Sequence, residues 1–92
     1  MSIYRVDFSP TAVKSIQKFK KSNPILMNKL KQIFSELEEH PRSGIGHPEP
    51  LVHGSGILYS RRLTAKDRVV YEIYDDLVVV VVVSVESHYN DK

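Results

Sequence analysis

The chain has 92 residues, no cysteine, 41% hydrophobic and 26% charged residues, and a formal net charge of +2 at pH 7. That length builds one domain, residues 1–92, around a single small core; the composition excludes disordered and fibrous classes, and the missing cysteines exclude a disulfide framework and a thiolate zinc site. Residues 1–50 carry eight Lys or Arg against five Asp or Glu, and residues 51–92 carry five against six, so any phosphate-binding surface has to be local.

The opening segment, MSIYRVDFSP, has neither the basic stretch nor the apolar centre of a secretion signal, and the longest apolar run, Leu77 to Val83, is too short to span a bilayer. A cytoplasmic protein with no membrane partner is expected. Ile3 to Ser9 alternates, with Tyr4, Val6 and Phe8 on one side, and predicts a half-buried strand. Ser9-Pro10 then pairs a favoured N-cap with a residue tolerated at N1. The spacing predicts a helix through Ser22 with Ala12, Val13, Ile16 and Phe19 on its apolar face. Asn23-Pro24 repeats the device and predicts a second helix to about His40, with Leu26, Leu30, Ile33, Phe34 and Leu37 as its stripe and Pro41 as its stop.

Residues 41–56 hold three of the five prolines and all four glycines, together with His47, Glu49 and His53, and read as one long loop. Loops of that length in small domains are more often functional than idle. Three strands are predicted beyond it, at 57–63, 68–74 and 77–85, joined by Thr64–Asp67 and Asp75-Asp76 into an antiparallel meander. The fold class expected is therefore α+β: strand, two helices and three strands in two layers, with the valine run possessing no polar face and so needing a central place covered on both sides, and free to pair with the first strand as well. On the middle strand Arg68, Val70, Glu72 and Tyr74 share one face and Val69, Tyr71 and Ile73 the core face. On the last strand the even positions from Val78 to His88 are expected to share a face that turns polar toward its exit.

The stretch GHPEPLVHGSGILYSRRLTAKDRVVYEIYDD, followed by a strand and His88-Tyr89, resembles the Txe/YoeB family of bacterial toxins within the wider RelE-like group. Members of that family carry Gly-x-Gly-Lys-Pro-Glu-Pro-Leu-Lys, an aromatic before Ser-Arg-Arg, Arg-(Leu/Val)-Val-Tyr, and a terminal His-Tyr. The resemblance implies a small RelE/microbial-ribonuclease-like fold and a ribosome-dependent messenger-RNA endonuclease, an mRNA interferase that inhibits translation. It places Glu49 and Arg68 on the family's catalytic glutamate and arginine, and His88 and Tyr89 on its terminal pair. Arg61 and Arg62 fall on its paired arginines, of which the second is expected to help bind RNA, and Tyr59 stands for the usual tryptophan; Arg61, Arg62, Tyr59 and His53 are the RNA-binding candidates the resemblance implies. The implied partners are a cognate YefM-like antitoxin, the ribosome with its messenger RNA, a second toxin chain, and DNA only through the antitoxin complex. No metal and no other cofactor is implied.

Elementary chemistry agrees with that assignment. Metal-free RNA cleavage needs a base for the 2′-hydroxyl proton, a cation for the charge growing on phosphate, and an acid for the departing 5′-oxygen. A glutamate, an arginine and a histidine are suited to those three roles. A general acid or base each contributes about 10² to 10⁴ in rate, so the RNA must also be held in line, which a larger machine such as the ribosome can do. The chain departs from the family at His47 and Val52, where lysines are usual, and at Glu86 and Ser87, where a basic and an aromatic residue are common. The lost lysine at Val52 leaves open a catalytically weak or inactive RelE-fold protein that binds RNA or a partner without cutting. A metal hydrolase built on His47, His53 and His88 lacks helical ligand spacing and an acidic cluster.

Overall fold

The computed structural model describes residues 3–51 and 57–87, with Glu86 and Ser87 described by their backbone alone. Ser9 opens α1 (Pro10–Ser22): its Oγ accepts from the Ala12 N–H at 3.1 Å and donates to the Val83 carbonyl. Asn23 closes α1 and opens α2 (Pro24–Leu37), since its N–H donates to the Phe19 carbonyl at 2.8 Å while its side-chain oxygen accepts from the Leu26 N–H at 3.3 Å. The second helix ends at Leu37 rather than near His40. The Glu38 and Glu39 N–H groups donate to the carbonyls of Ser35 and Glu36, the tight i to i−3 bonds by which a helix end satisfies its last acceptors before a proline.

Five strands, β1 (Arg5–Phe8), β2 (Glu49–Pro50), β3 (Leu58–Arg62), β4 (Asp67–Tyr74) and β5 (Val79–Ser87), form one sheet in the order β1-β5-β4-β3-β2. The meander β3-β4-β5 is antiparallel as expected. The sheet as a whole is mixed, because β1 pairs parallel with β5, from Arg5 opposite Val79 to Phe8 opposite Val82. A crossover is what parallel pairing requires, and α1 and α2 lie on the path from β1 back to the sheet. The valine strand is thereby central.

Its start and its faces differ from the simple alternation. Asp75 to Val78 form the turn, with Val78 at φ 54 and Leu77 exposed, so β5 begins two residues later than the apolar run. An Asp-Asp pair lacks the glycine that favours a two-residue hairpin, and a longer turn takes its place. Tyr71 faces Val82 and Val70 faces Ser84, leaving Val83 as the extra residue of a β-bulge. Val80 and Val82 are buried before the bulge and Val85 after it, so the core parity changes from even to odd. The even positions do not keep one face along the strand.

The core joins Ala12, Leu30, Ile33 and Leu37 of the helices to Val69, Tyr71, Ile73, Val80, Val82 and Val85 of the sheet. Among the described residues both helices' buried positions serve this one face. Among the described residues the cover on the second side of the valines is partial: Val79, Val81 and Val83 are half-buried.

Candidate active site

The loop expected over residues 41–56 contains a strand. At β2, Glu49 pairs with Ser60 and Pro50 with Tyr59, and the Leu51 N–H donates to the Leu58 carbonyl at 2.9 Å. Two prolines flank the glutamate, stiffening the strand, and an edge position tolerates their missing donors. The next ladders run on: Ser60 faces Val70, Arg62 faces Arg68, and Arg68 faces Glu86 on β5. Glu49 therefore lies two residues, about 7 Å, along the sheet from the Arg62–Arg68 pair, one strand spacing of about 5 Å from the Arg62 position and two from that of Arg68.

His47, Glu49, Ser60, Arg62 and Arg68 line one cleft of about 340 Å³. Its charged side chains are exposed, and among the described residues none of His47, Glu49, Arg62 and Arg68 has a side-chain hydrogen bond or ion pair. Glu72, the obvious partner for Arg68 on its own strand, instead accepts from the Tyr74 hydroxyl at 2.8 Å. The turn that ends the Arg62–Arg68 ladder is locked by Thr64, whose Oγ1 donates to the Asp67 carboxylate at 2.7 Å and accepts from the Lys66 and Asp67 N–H groups. Two arginines thus sit opposite each other across the β3-β4 ladder, with Glu86 opposite Arg68 on its β5 side; like charges at such a cross-strand position are destabilising and favour a bound anion. Phosphate is the natural occupant of such a donor fork pair.

Arg61 does not join this cleft. It is 0% exposed, and all five of its N–H donors are used inside the protein. Nε donates to the Tyr71 hydroxyl at 3.1 Å, Nη1 to Glu36 Oε1 at 2.7 Å and the Ile45 carbonyl at 3.3 Å, and Nη2 to the carbonyls of His40 and Ser43 at 3.0 and 2.7 Å. The expectation that it touches RNA is corrected: a saturated buried guanidinium has no donor left for a phosphate. Tyr59 also faces the helix side, stacked on Tyr71 with ring centroids 6.1 Å apart and with the Arg42 guanidinium 5.7 Å from its own ring centre. The alternation along β3 puts Ser60 and Arg62 on one side and Tyr59 and Arg61 on the other.

Burial raises the Tyr71 phenol above its usual range, with Arg61 opposing the shift, and its hydroxyl donates to the Pro41 carbonyl at 2.8 Å. At the end of β4 away from Arg68, Arg42 binds Asp75 through two nitrogens at 3.1 and 2.7 Å, and Tyr4 adds a 2.7 Å bond to the same carboxylate. The Arg42 bond, then that of Tyr4, hold the Asp75 carboxyl below its ordinary value.

Of the site residues expected from the sequence, Glu49, Arg62 and Arg68 come together. His53, His88 and Tyr89 lie outside the described residues; Glu86, two positions before His88, is opposite Arg68. Ser60 was not singled out, and His47 was noted as a loop histidine, a replaced lysine and a rejected metal ligand, not as a residue of this site. Both line the cleft. Parity with Arg62 along β3 was the signal for Ser60. His47, at φ 52 beside Gly46, adopts a left-handed backbone that histidine tolerates better than most residues other than glycine, which no pattern in the sequence announces.

A model of the YoeB-like toxin of bacterial type II toxin-antitoxin systems matches residues 8–89. Toxin YoeB of Escherichia coli O6:H1 is 37% identical over 51 residues, 55% of this chain, and that match spans 61% of the relative's length. Toxin YoeB of Synechocystis is 32% identical over 72 residues, covering 77% of this chain and 80% of the relative. Among solved structures, the YoeB dimer from Staphylococcus aureus superposes with a TM-score of 0.82 at 26% identity, covering 96% of this chain and all of the other. The YoeB-YefM complex from the same organism gives 0.78 at 28% identity over 94% of this chain and 98% of the other. The isolated Escherichia coli RelE toxin gives 0.73 at 28% identity over 97% and 88%. Among the described residues no helix is long and apolar enough to cross a membrane.

Proposed function

Since the chain belongs to the YoeB-like toxins of bacterial type II toxin-antitoxin systems, we propose that it is an endoribonuclease that cuts messenger RNA on the ribosome without a metal, and that a YefM-like antitoxin restrains it. The observation that carries this reading is the exposed Arg62–Arg68 pair, opposed across one ladder with Glu49 on the same cleft. Two facing cations await an anion, and a carboxylate beside that anion is a base in reach of the neighbouring hydroxyl.

In the proposed reaction Glu49 takes the 2′-hydroxyl proton, and the 2′-oxygen attacks the adjacent phosphorus. Arg68, with Arg62, steadies the charge gathering on the non-bridging oxygens. The bond to the 5′-oxygen breaks, and His88 protonates that oxygen, leaving a 2′,3′-cyclic phosphate and a 5′-hydroxyl. Tyr89 is proposed at the same site and His53 beside the RNA. A modest net charge of +2 gives weak counterion-release binding to free RNA, which supports a substrate presented by the ribosome. Homodimer formation and DNA binding through the antitoxin complex are further proposals that rest on the family.

Mapping messenger 5′ ends after induction tests the reaction. Clustered new 5′-hydroxyl ends, lost in Glu49→Gln and His88→Ala, are expected. Translation blocked with messages intact would instead mark an RNA-binding or partner-binding member of the same fold.

A further inference from the structure

We propose that Arg61 and Glu36 form a positioning pair that sets the approach of Glu49 to the cleft, acting through residues 40–46; this rests on Glu49 being the base. The pair holds the backbone at closely spaced points. Arg61 takes the carbonyls of His40, Ser43 and Ile45, Tyr71 takes that of Pro41, and Glu36 Oε1 accepts from the Ile45 N–H at 3.0 Å. One residue further, the Gly46 carbonyl accepts from the Arg62 N–H at 2.6 Å. Glu49 follows after three positions.

The approach is so close that two glycines are required. A Cβ on Gly44, at φ 122, would come 2.0 Å from Glu36 Oε1, and one on Gly46, at φ 82, would come 2.6 Å from the Arg62 carbonyl. Strand β2 is only two residues long and its second residue is proline, which gives no ladder donor. Its entry angle is therefore set by what precedes it. Pro48 and Pro50 limit backbone freedom on either side of Glu49, so displacement at residues 44–46 is carried to the carboxylate rather than absorbed. Arg62 donates its backbone N–H to this loop and its side chain to the cleft wall, so base and cation share one support.

The positioning role predicts a loss in chemistry without a loss in binding. Glu36→Ala removes the acceptor for both Arg61 and Ile45, and Glu36→Gln keeps one. Single-turnover cleavage of messenger on loaded ribosomes is expected to fall by about 10² in Glu36→Ala, as a 1 Å misplacement can cost, with ribosome affinity unchanged and most of the rate restored in Glu36→Gln. Amide exchange at Ile45 and Arg62 is expected to rise about tenfold in the alanine variant while core amides of β4 stay protected. Should Glu36→Ala fail to fold, Gly44→Ala displaces the carboxylate with both charges retained and is expected to give the same pair of changes. An unchanged rate with unchanged exchange overturns the proposal, and so does a fall in affinity that accounts for the whole loss. A wild-type chain that cuts no message overturns the proposed function instead, and exchange at Ile45 then decides by itself whether the pair holds the loop.

Discussion

Arg61 and Arg62 are one position apart and lie on opposite sides of β3. On the helix side Arg61 is enclosed with Glu36, Tyr71 and three carbonyls, every donor satisfied. On the outer side Arg62 faces Arg68 across the ladder with exposed surface and, among the described residues, no ion pair. The same side chain thus serves architecture where acceptors converge on it and, in the proposed reaction, ligand binding where a like charge confronts it. Surrounding acceptors, more than residue type, separate the two roles.

The largest effect expected from pressing on this difference is on the outer side. Glu49→Gln should lower single-turnover cleavage by about 10² to 10⁴, while its thermal midpoint stays within a degree or two of wild type because the carboxylate is exposed and has no hydrogen-bond partner among the described residues. Arg61→Ala should do the reverse in kind. Leaving Glu36 and the loop carbonyls without their donor should cost about 3–5 kcal/mol in urea unfolding. Arg62→Ala should be close to neutral or stabilising by up to about 1 kcal/mol, since it relieves a like-charge pair. Inorganic phosphate should raise the thermal midpoint of the wild type and fail to do so in Arg62→Ala, read by calorimetry with chloride as control; an equal rise in both would deny the cleft its anion.

The smallest effect concerns Arg42, exposed like Arg62 yet paired like Arg61. Its bond, followed by the Tyr4 hydroxyl bond, lowers the Asp75 pKa from 3.8. A carboxyl depressed in the folded state stabilises above its unfolded value and loses that contribution as pH falls through the folded one. Asp75→Asn should therefore lower the urea midpoint slightly near neutrality and remove a small part of the acid limb, so that the difference from wild type closes below about pH 4.

Much of this was legible in the sequence. Ser9-Pro10 and Asn23-Pro24 announced both helix starts, and the alternation in β4 placed Val69, Tyr71 and Ile73 inside and Arg68 outside. What was hidden had non-local causes. An Arg-Arg pair in a strand says that the two point opposite ways, not which is enclosed; that depends on Glu36 on α2 and on a loop that closes over it. Six identical valines carry no phase, so nothing in the run marks Val83 as the extra residue. The bulge sits where the Ser9 hydroxyl, at the end of the neighbouring β1, reaches the Val83 carbonyl, a meeting 74 positions apart in the chain. For the same reason β2 was read as loop, since a two-residue strand is visible only through its partner.

The central place of β5 has a consequence for solubility. A valine run without charge or proline is a strong template for intermolecular sheet growth, and in this fold one flank is covered by β4 and the other by only four residues, Arg5–Phe8. Those four are therefore a guard as much as a strand: short, and bearing Arg5 and Asp7 in an exposed ion pair at 3.1 Å, they close the run with an edge that repels a further chain. Chains cut just after Phe8 should aggregate along the uncovered valines.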